Sequence, residues 1–385
     1  MEDGFVDQYP ACENAGIGTG YSCRYSKKRT AIQSHEFLSC STAISNSNKV
    51  QLYAIFSGFN GGDNTAKFVM NRIVYEIFQD NPITMAMRPK EIEKQLKHKF
   101  ENVAQRYLEL HSEALDKRLM AKLDESETSK DAISEIDQKI RQGTTALVVL
   151  KMNEDLYIIN CGCSMALAVL DNKGAAVQLN QNLHENDNQD ETIRLESMGI
   201  DPTTVLKPTR AIGDLHRTHL YEENPDFKSA KGAPVISTPD VKHIAIDEKW
   251  KYLVLLSDGV VQNLKEMEID DIPMEVSVRL AEDNTATSTA QALVDVFSRK
   301  HYDSYSRTQD EQLCSGSSQR EEMTIIFVKL TSSTSNLYET VDSAISTLDS
   351  TEQSLNDTQP KCYIDASHVS TTPTFQEMNK MILKP

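Results

Sequence analysis

The stretch with the clearest chemical possibilities is Gln51–Phe68, which reads QLYAIFSGFNGGDNTAKF. Ser57–Gly62 holds three glycines in six residues, so the backbone must turn tightly there or approach another group closely. A strand that runs through a glycine turn into a helix start can present its backbone to a phosphate, or hold a metal. The same residues also suit a purely structural turn, and at this point both readings stay open. A second candidate is Cys161-Gly-Cys163, whose thiols could ligate zinc. No second cysteine pair stands at zinc-site spacing, and both thiols follow the apolar run Leu156–Ile159. They read better as small buried hydrophobes.

Regular elements must position these groups. Gln51–Phe56 is apolar and aromatic and predicts a strand. Beyond the turn, Val69, Ile73 and Ile77 recur at four-residue spacing beside Phe68 and Phe78. That predicts a helix capped by Asp63 or Asn64 and ending before Asn81-Pro82. Residues 1–20 contain few large apolar side chains and several glycines, which predicts a flexible start and a first strand near Gly20–Tyr25. Pro89 opens a helical region in which Ile92, Leu96, Phe100, Val103, Tyr107 and Leu110 keep helical spacing. Leu115, Leu119 and Leu123 continue it, Lys122–Gln142 reads as a polar, partly helical insertion, and the alternating charges read as a solvated face. Gly143 then begins GTTALVVLKMNEDLYIINCGCSMALAVL, which predicts strands over Thr145–Leu150, Leu156–Cys161 and Met165–Leu170, with a hairpin turn at Asn153-Glu154. Val235–Asp240 and Tyr252–Gln262 are read as further strands.

A chain of 385 residues is long enough for one large domain or two smaller ones with extensions. Its 57 acidic and 40 basic residues give a formal charge of −17, which argues against nucleic acid or an acidic membrane surface as a partner. Apolar runs such as Tyr252–Leu256 are too short to span a bilayer, so no membrane insertion is expected. The start, MEDGFVDQYP, is acidic where a signal peptide is basic, and seven scattered cysteines suit reduced thiols. Both features imply a cytoplasmic or nuclear protein.

The strand and glycine turn resemble the segment Phe-x-Val-Phe-Asp-Gly-His-Gly-Gly of the type 2C, metal-dependent Ser/Thr protein phosphatases. Further matches are TRAIGD at Thr209–Asp214, YLVLLSDGVVQ at Tyr252–Gln262 and QREEMTIIFVKL at Gln319–Leu330. The resemblance implies an α+β fold, a type 2C phosphatase-like α/β sandwich of two antiparallel sheets flanked by helices. It also implies a metal site, and that site is degenerate here. Ser57 stands at the aspartate that bridges two metals, Phe59-Asn60 at the histidine, and Gly58 beside them. Cys163 and Met165 replace an aspartate and an arginine, Gln262 replaces a second aspartate, and Ser26–Thr42 offers only Glu36 where a Glu-Asp pair belongs. His184 falls at a histidine thought to act as general acid, but with Leu183 before it, it reads as an exposed loop residue. Arg24 stands at the phosphate-contacting arginine, and a plain surface charge suits it as well. Of the acidic ligands Asp258 remains, with Glu321 as a longer stand-in. Too few carboxylates are left to clamp two metals. The vestigial positions Ser57, Gly58, Asp258 and Glu321 are therefore expected to hold none, beyond weak Mg²⁺ or Mn²⁺ binding.

These departures resemble those of the TGF-β-activated-kinase-binding adaptors, a pseudophosphatase branch of that family. DETIRLESMGID, SAKGAPVISTPDV and ATSTAQALVDVFSRKHYDS carry the likeness. It implies an adaptor without catalysis or cofactor that activates a MAP kinase kinase kinase in stress or developmental signalling. The alternatives are a residual Mn-dependent Ser/Thr phosphatase, or a phosphopeptide-binding module built on Arg24. The domain reading is residues 1–14 as a flexible start and 15–330 as the phosphatase-like domain. Residues 331–385 are a Ser/Thr-rich tail, a composition that resists folding alone. Near its end Phe375, Met378, Met381 and Ile382 share one face of a short helix, the expected kinase-docking segment.

Overall fold

Nearly continuous apolar strands, too hydrophobic for one-sided burial, are here covered on both faces. The computed structural model describes residues 14–25, 31–34, 38–45, 50–80, 82–84, 86–124, 126–170, 175–180, 182–280, 285–310, 318–330 and 361–364. Glu36 and the segment containing Phe375, Met378, Met381 and Ile382 lie outside the described residues.

In chain order the first elements are β1 (Ala15–Gly20), β2 (Ser22–Tyr25), β3 (Ala31–Ser34), β4 (Leu38–Ser45) and β5 (Val50–Phe59). Helices α1 (Asp63–Phe78), α2 (Pro89–Leu110), α3 (Ser112–Lys122) and α4 (Glu127–Ile140) follow. Strands β6 (Gly143–Met152), β7 (Asp155–Cys161), β8 (Met165–Leu170) and β9 (Ala176–Gln178) lead to α5 (Gln189–Ser197), β10 (Ile212–Gly213) and α6 (Leu215–Thr218). The chain continues through β11 (Asp240–Ala245), β12 (Trp250–Leu256), α7 (Asp258–Glu266), α8 (Ile272–Val278) and α9 (Ala286–Asp310). It closes with β13 (Gln319–Arg320), β14 (Met323–Lys329) and β15 (Lys361–Ile364).

Two antiparallel sheets result, ordered β11-β7-β6-β5-β4-β15 with β10 on β6, and β1-β14-β12-β8-β9; β13-β2-β3 form a small third sheet. Because side chains alternate across a strand, each strand feeds two cores. Tyr53, Ile55, Leu147 and Val149 face Leu253, Leu255, Ile326 and Val328 in the seam between the sheets. The alternate set Leu52, Ala54, Phe56, Val148 and Leu150 packs under Val69, Ile73, Leu96 and Phe100 of α1 and α2. On the other outer face Val254, Leu256, Ile325 and Phe327 meet Val260, Leu264, Leu293 and Phe297 of α7 and α9. The order is helix, sheet, sheet, helix, as the resemblance implies. No helix among the described residues is long and apolar enough to cross a membrane.

Several expectations need correction. Ala15–Gly20, read as flexible for its glycines, is a strand. Its glycines admit α9: a Cβ on Gly16 would lie 2.0 Å from the Thr287 nitrogen, and one on Gly18 2.3 Å from the Ala290 carbonyl oxygen. Helix α1 has Gly62, not Asp63 or Asn64, at its N-cap, with no side-chain cap bond; Asp63 stands in its first turn, beside the positive end of the dipole. The strand read at Val235–Asp240 instead begins at Asp240, and Asp258–Gln262 is helical. The stretch read as tail contributes β15, paired antiparallel with β4.

The charged faces of α2 and α3 also hold two buried cations. Lys99 is buried and donates to the carbonyls of Glu76 and Asp80 at 2.6 and 2.5 Å, satisfying the end of α1. Arg118, its side chain 6% exposed, donates to Asp137 of α4 and bidentately to Glu223 at 2.9 and 2.8 Å. It ties the α3–α4 hairpin to the body. Arg118→Met should destabilise the chain by about 2 kcal/mol at neutral pH, between the effects of breaking exposed and fully buried pairs. Hydrogen bonding from Arg118 holds the Glu223 carboxyl down at about 2. The stabilisation is thus complete above the unfolded value of about 4.3 and is lost as pH falls through about 2. In urea titrations the gap between wild type and variant should shrink across that window; a constant gap would mean that Glu223 is not the partner that matters.

Candidate functional site

Polar groups concentrate where the strands of both sheets end on one side of the sandwich. Strand β5 ends in Ser57, Gly58 and Phe59, paired with Thr145, Thr144 and Gly143 at the start of β6. From the other sheet, Leu256 of β12 pairs with Met165 and Ile325, which places Cys163, Asp258 and Glu321 just beyond the ladder at the same end. Ser57, Gly58, Asp258 and Glu321 all line one cleft of about 560 Å³. The structure therefore brings together the four vestigial positions. Arg24 is not among the lining residues; it is exposed on the small sheet and donates to Gln319 at 3.3 Å.

The glycine turn has a packing role that can be stated atom by atom. A Cβ on Gly62 would lie 2.2 Å from the Gly143 carbonyl oxygen, and one on Gly143 2.4 Å from the Phe59 ring. Asn60 and Gly61 take positive φ values of 55° and 75°. Phe59 covers Gly143 and lies 5.7 Å from the Arg217 guanidinium. Across the cleft, a Cβ on Gly259 would lie 1.8 Å from the Glu322 carbonyl oxygen, so α7 begins against the link between β13 and β14. Asn263 clamps Glu321 by its backbone, accepting from its nitrogen at 2.9 Å and donating to its carbonyl at 3.0 Å.

The TRAIGD segment turns against the start of β6, where Gly213 pairs with Gly143. Asp214 is buried with φ 44°, accepts from Arg217 and donates its own N–H to the Gln142 carbonyl at 2.7 Å. His184, read as an exposed loop residue, is fully buried. Gly162 donates its N–H to Nδ1 at 2.9 Å, which leaves the proton on Nε2, 3.1 Å from the Asp240 carboxylate. Asp240 also accepts from Arg210 at 2.7 Å, and Arg210 and Arg194 both bind Glu191. Burial opposes the charges of Glu191 and Asp240, yet their partners hold both carboxyls below the usual range. Only the tertiary fold assembles this chain of five groups. The histidine is a structural member of it.

Beneath the cleft, Cys163, Glu185 and Asp258 each bring one ligand atom within 4.8 Å of the others. Burial raises both thiols, Cys161 to about 12 and Cys163 well above its ordinary value, so both stay protonated and apolar as expected. Burial also pushes the Asp258 carboxyl up, with Lys207 and Lys265 pulling it back. Desolvation works against the Lys207 ammonium, but Asp258 and Glu185 together hold its pKa above the lysine norm. Lys265 sits 2.6 Å from one Glu185 oxygen and Lys207 3.6 Å from the other, while Lys207 donates to Gln262. Sequence reasoning missed Glu185 and both lysines. One signal was available, since Asp258, Gln262 and Lys265 stand at i, i+4 and i+7 on α7.

These donors do not fit a pair of divalent ions. The Oγ of Ser57, Oδ1 of Asp258 and Oγ1 of Thr145, in residues that line the cleft, are buried without a hydrogen bond, so spare acceptors are present. Yet Ser57 is neutral, Cys163 is a protonated thiol, and both oxygens of Glu185 already face ammonium groups. A close metal pair needs carboxylates shared between the ions.

The family profile described as Protein phosphatase 2C matches residues 22–301. A Caenorhabditis elegans protein described as TGF-beta-activated kinase 1 and MAP3K7-binding protein 1 is 56% identical over 383 residues, 99% of this chain and 98% of its own. Probable protein phosphatase 2C 2 of Paramecium tetraurelia is 25% identical over 225 residues, 57% of this chain and 66% of its own. A crystal structure of serine-threonine phosphatase 2C from Toxoplasma gondii aligns with TM-score 0.48 and 13% identity, over 82% of this chain and 94% of the other. Because the matched profile spans well over half of its residues, the chain belongs to the protein phosphatase 2C family.

Proposed function

We propose that this chain is a non-catalytic adaptor that binds and activates a MAP kinase kinase kinase of the TGF-β-activated type. The observation that carries the reading is end-to-end identity of 56% to a relative named for binding such a kinase. The loss of acids supports the non-catalytic part: Ser57, Cys163 and Gln262 stand where the resemblance places aspartates, which leaves Asp258 with Glu321 as a longer stand-in. Without a metal pair there is no activated water to attack a phosphoester. The docking element in this reading is the segment carrying Phe375, Met378, Met381 and Ile382. A helix of that length is marginal alone and orders on a partner's groove, biasing the kinase toward its active state.

Phe375→Ala should weaken binding of the kinase domain about 30-fold, the effect of losing one aromatic anchor worth about 2 kcal/mol. Calorimetric titration with the full chain checks it, and the melting temperature should not move. Unchanged affinity would remove the docking assignment.

A residual Mn-dependent phosphatase is the second reading, favoured by Asp258, which lines the cleft and has a buried, unbonded Oδ1. Turnover of an aryl phosphate with millimolar Mn²⁺ should not exceed that of Asp258→Asn. Metal-dependent turnover abolished in that variant would establish the second reading instead.

A further inference from the structure

We propose that Lys207 and Lys265 are resident cations that supply the charge a divalent ion supplies elsewhere in the family. The two oxygens of the buried Glu185 each face one ammonium, at 3.6 Å from Lys207 and 2.6 Å from Lys265. Asp258 and Cys163 complete the group, with the Asp258 Oδ1 buried and making no hydrogen bond. Glu185 faces both ammonium groups, and both also attract the nearby Asp258 carboxyl, so two positive charges already stand among the acids that would draw a metal. Lysine suits the place because its ammonium is a compact point charge on a long stem, reaching in from the protein's own surface. Lys207 and Lys265 remain 36% and 42% exposed in their side chains while their charged ends turn inward.

Gln262 links loss and replacement. It stands where the resemblance reads an aspartate, and its amide oxygen accepts from Lys207 while its amide nitrogen donates to Glu266 at 2.8 Å. The side chain that removes one carboxylate thus positions the substituting cation. The acids under the cleft then have their counter-charge without any ion, and the domain's surface is independent of the supply of divalent metal. Taking Lys207 away should reverse this: a buried carboxylate pair short of one positive charge becomes a site for a divalent cation.

The test uses the full chain, with Mn²⁺ as the probe and melting temperature and Mn²⁺ electron paramagnetic resonance as readouts. The wild type should melt at the same temperature in EDTA and in millimolar Mn²⁺, and should leave the free-ion signal intact. Lys207→Met should melt several degrees lower in EDTA, regain most of that in Mn²⁺, and deplete the free-ion signal. Adding Asp258→Asn to Lys207→Met should restore the melting temperature without metal and remove the Mn²⁺ response. If Lys207→Met folds poorly, refolding yield with and without Mn²⁺ reads the same rescue. Wild type stabilised by Mn²⁺ as strongly as the variant, or a variant indifferent to Mn²⁺, would overturn the proposal.

Discussion

The dry seam between the two sheets governs everything else in this molecule. Both faces of β5, β6, β12 and β14 are covered, one by the opposite sheet and one by helices. Along the middle of such strands an unpaired buried charge is destabilising by several kcal/mol. Functional groups are therefore confined to the strand ends, where ladders stop and turns begin. That is why Ser57, Asp258 and Glu321, more than 260 residues apart at the extremes, meet in one cleft.

Several charges that lie under this surface are paired, and the pairing ties segments that the sheets alone would not hold. Arg210 joins Glu191 of α5 to Asp240 at the start of β11, while Arg194 reaches the carbonyls of Ala233 and Pro234. His184 closes the group by bonding Gly162 on one side and Asp240 on the other. This anchors the long connection between the sheets through hydrogen bonds to charged groups, each worth about 1.5–3 kcal/mol. The same logic holds Arg118 between α4 and Glu223.

What the sequence discloses follows from the range of the forces involved. The strands Met165–Leu170 and Leu156–Cys161, the Asn153-Glu154 hairpin and the helix opened by Pro89 were legible because apolar periodicity and turn chemistry are local. The four vestigial site positions were legible through motif resemblance, and the structure assembles them. Burial of His184 was not legible, because its partners Gly162 and Asp240 lie 22 and 56 residues away. The glycines of β1 misled for a related reason: a glycine that admits α9 looks, in sequence, like one that confers flexibility. Lys207, Lys265 and Glu185 were missed because three unremarkable surface residue types acquire meaning only when folding sets them around Asp258.

The glycines and the acids of the family motif answer to different constraints, which is how the motif can lose one and keep the other. Gly58, Gly62 and Gly259 are fixed by backbone contacts in which any Cβ would collide with a neighbouring main chain, whatever occupies the cleft. An aspartate at Ser57 or Gln262 answers only to an ion; remove the ion, and like carboxylates packed together destabilise the fold instead of serving it. Replacing them with a hydroxyl and an amide relieves that repulsion, and the lysines neutralise the carboxylates that remain. The architecture then stands on its seam and its paired charges, and the backbone of the motif persists where its acids do not.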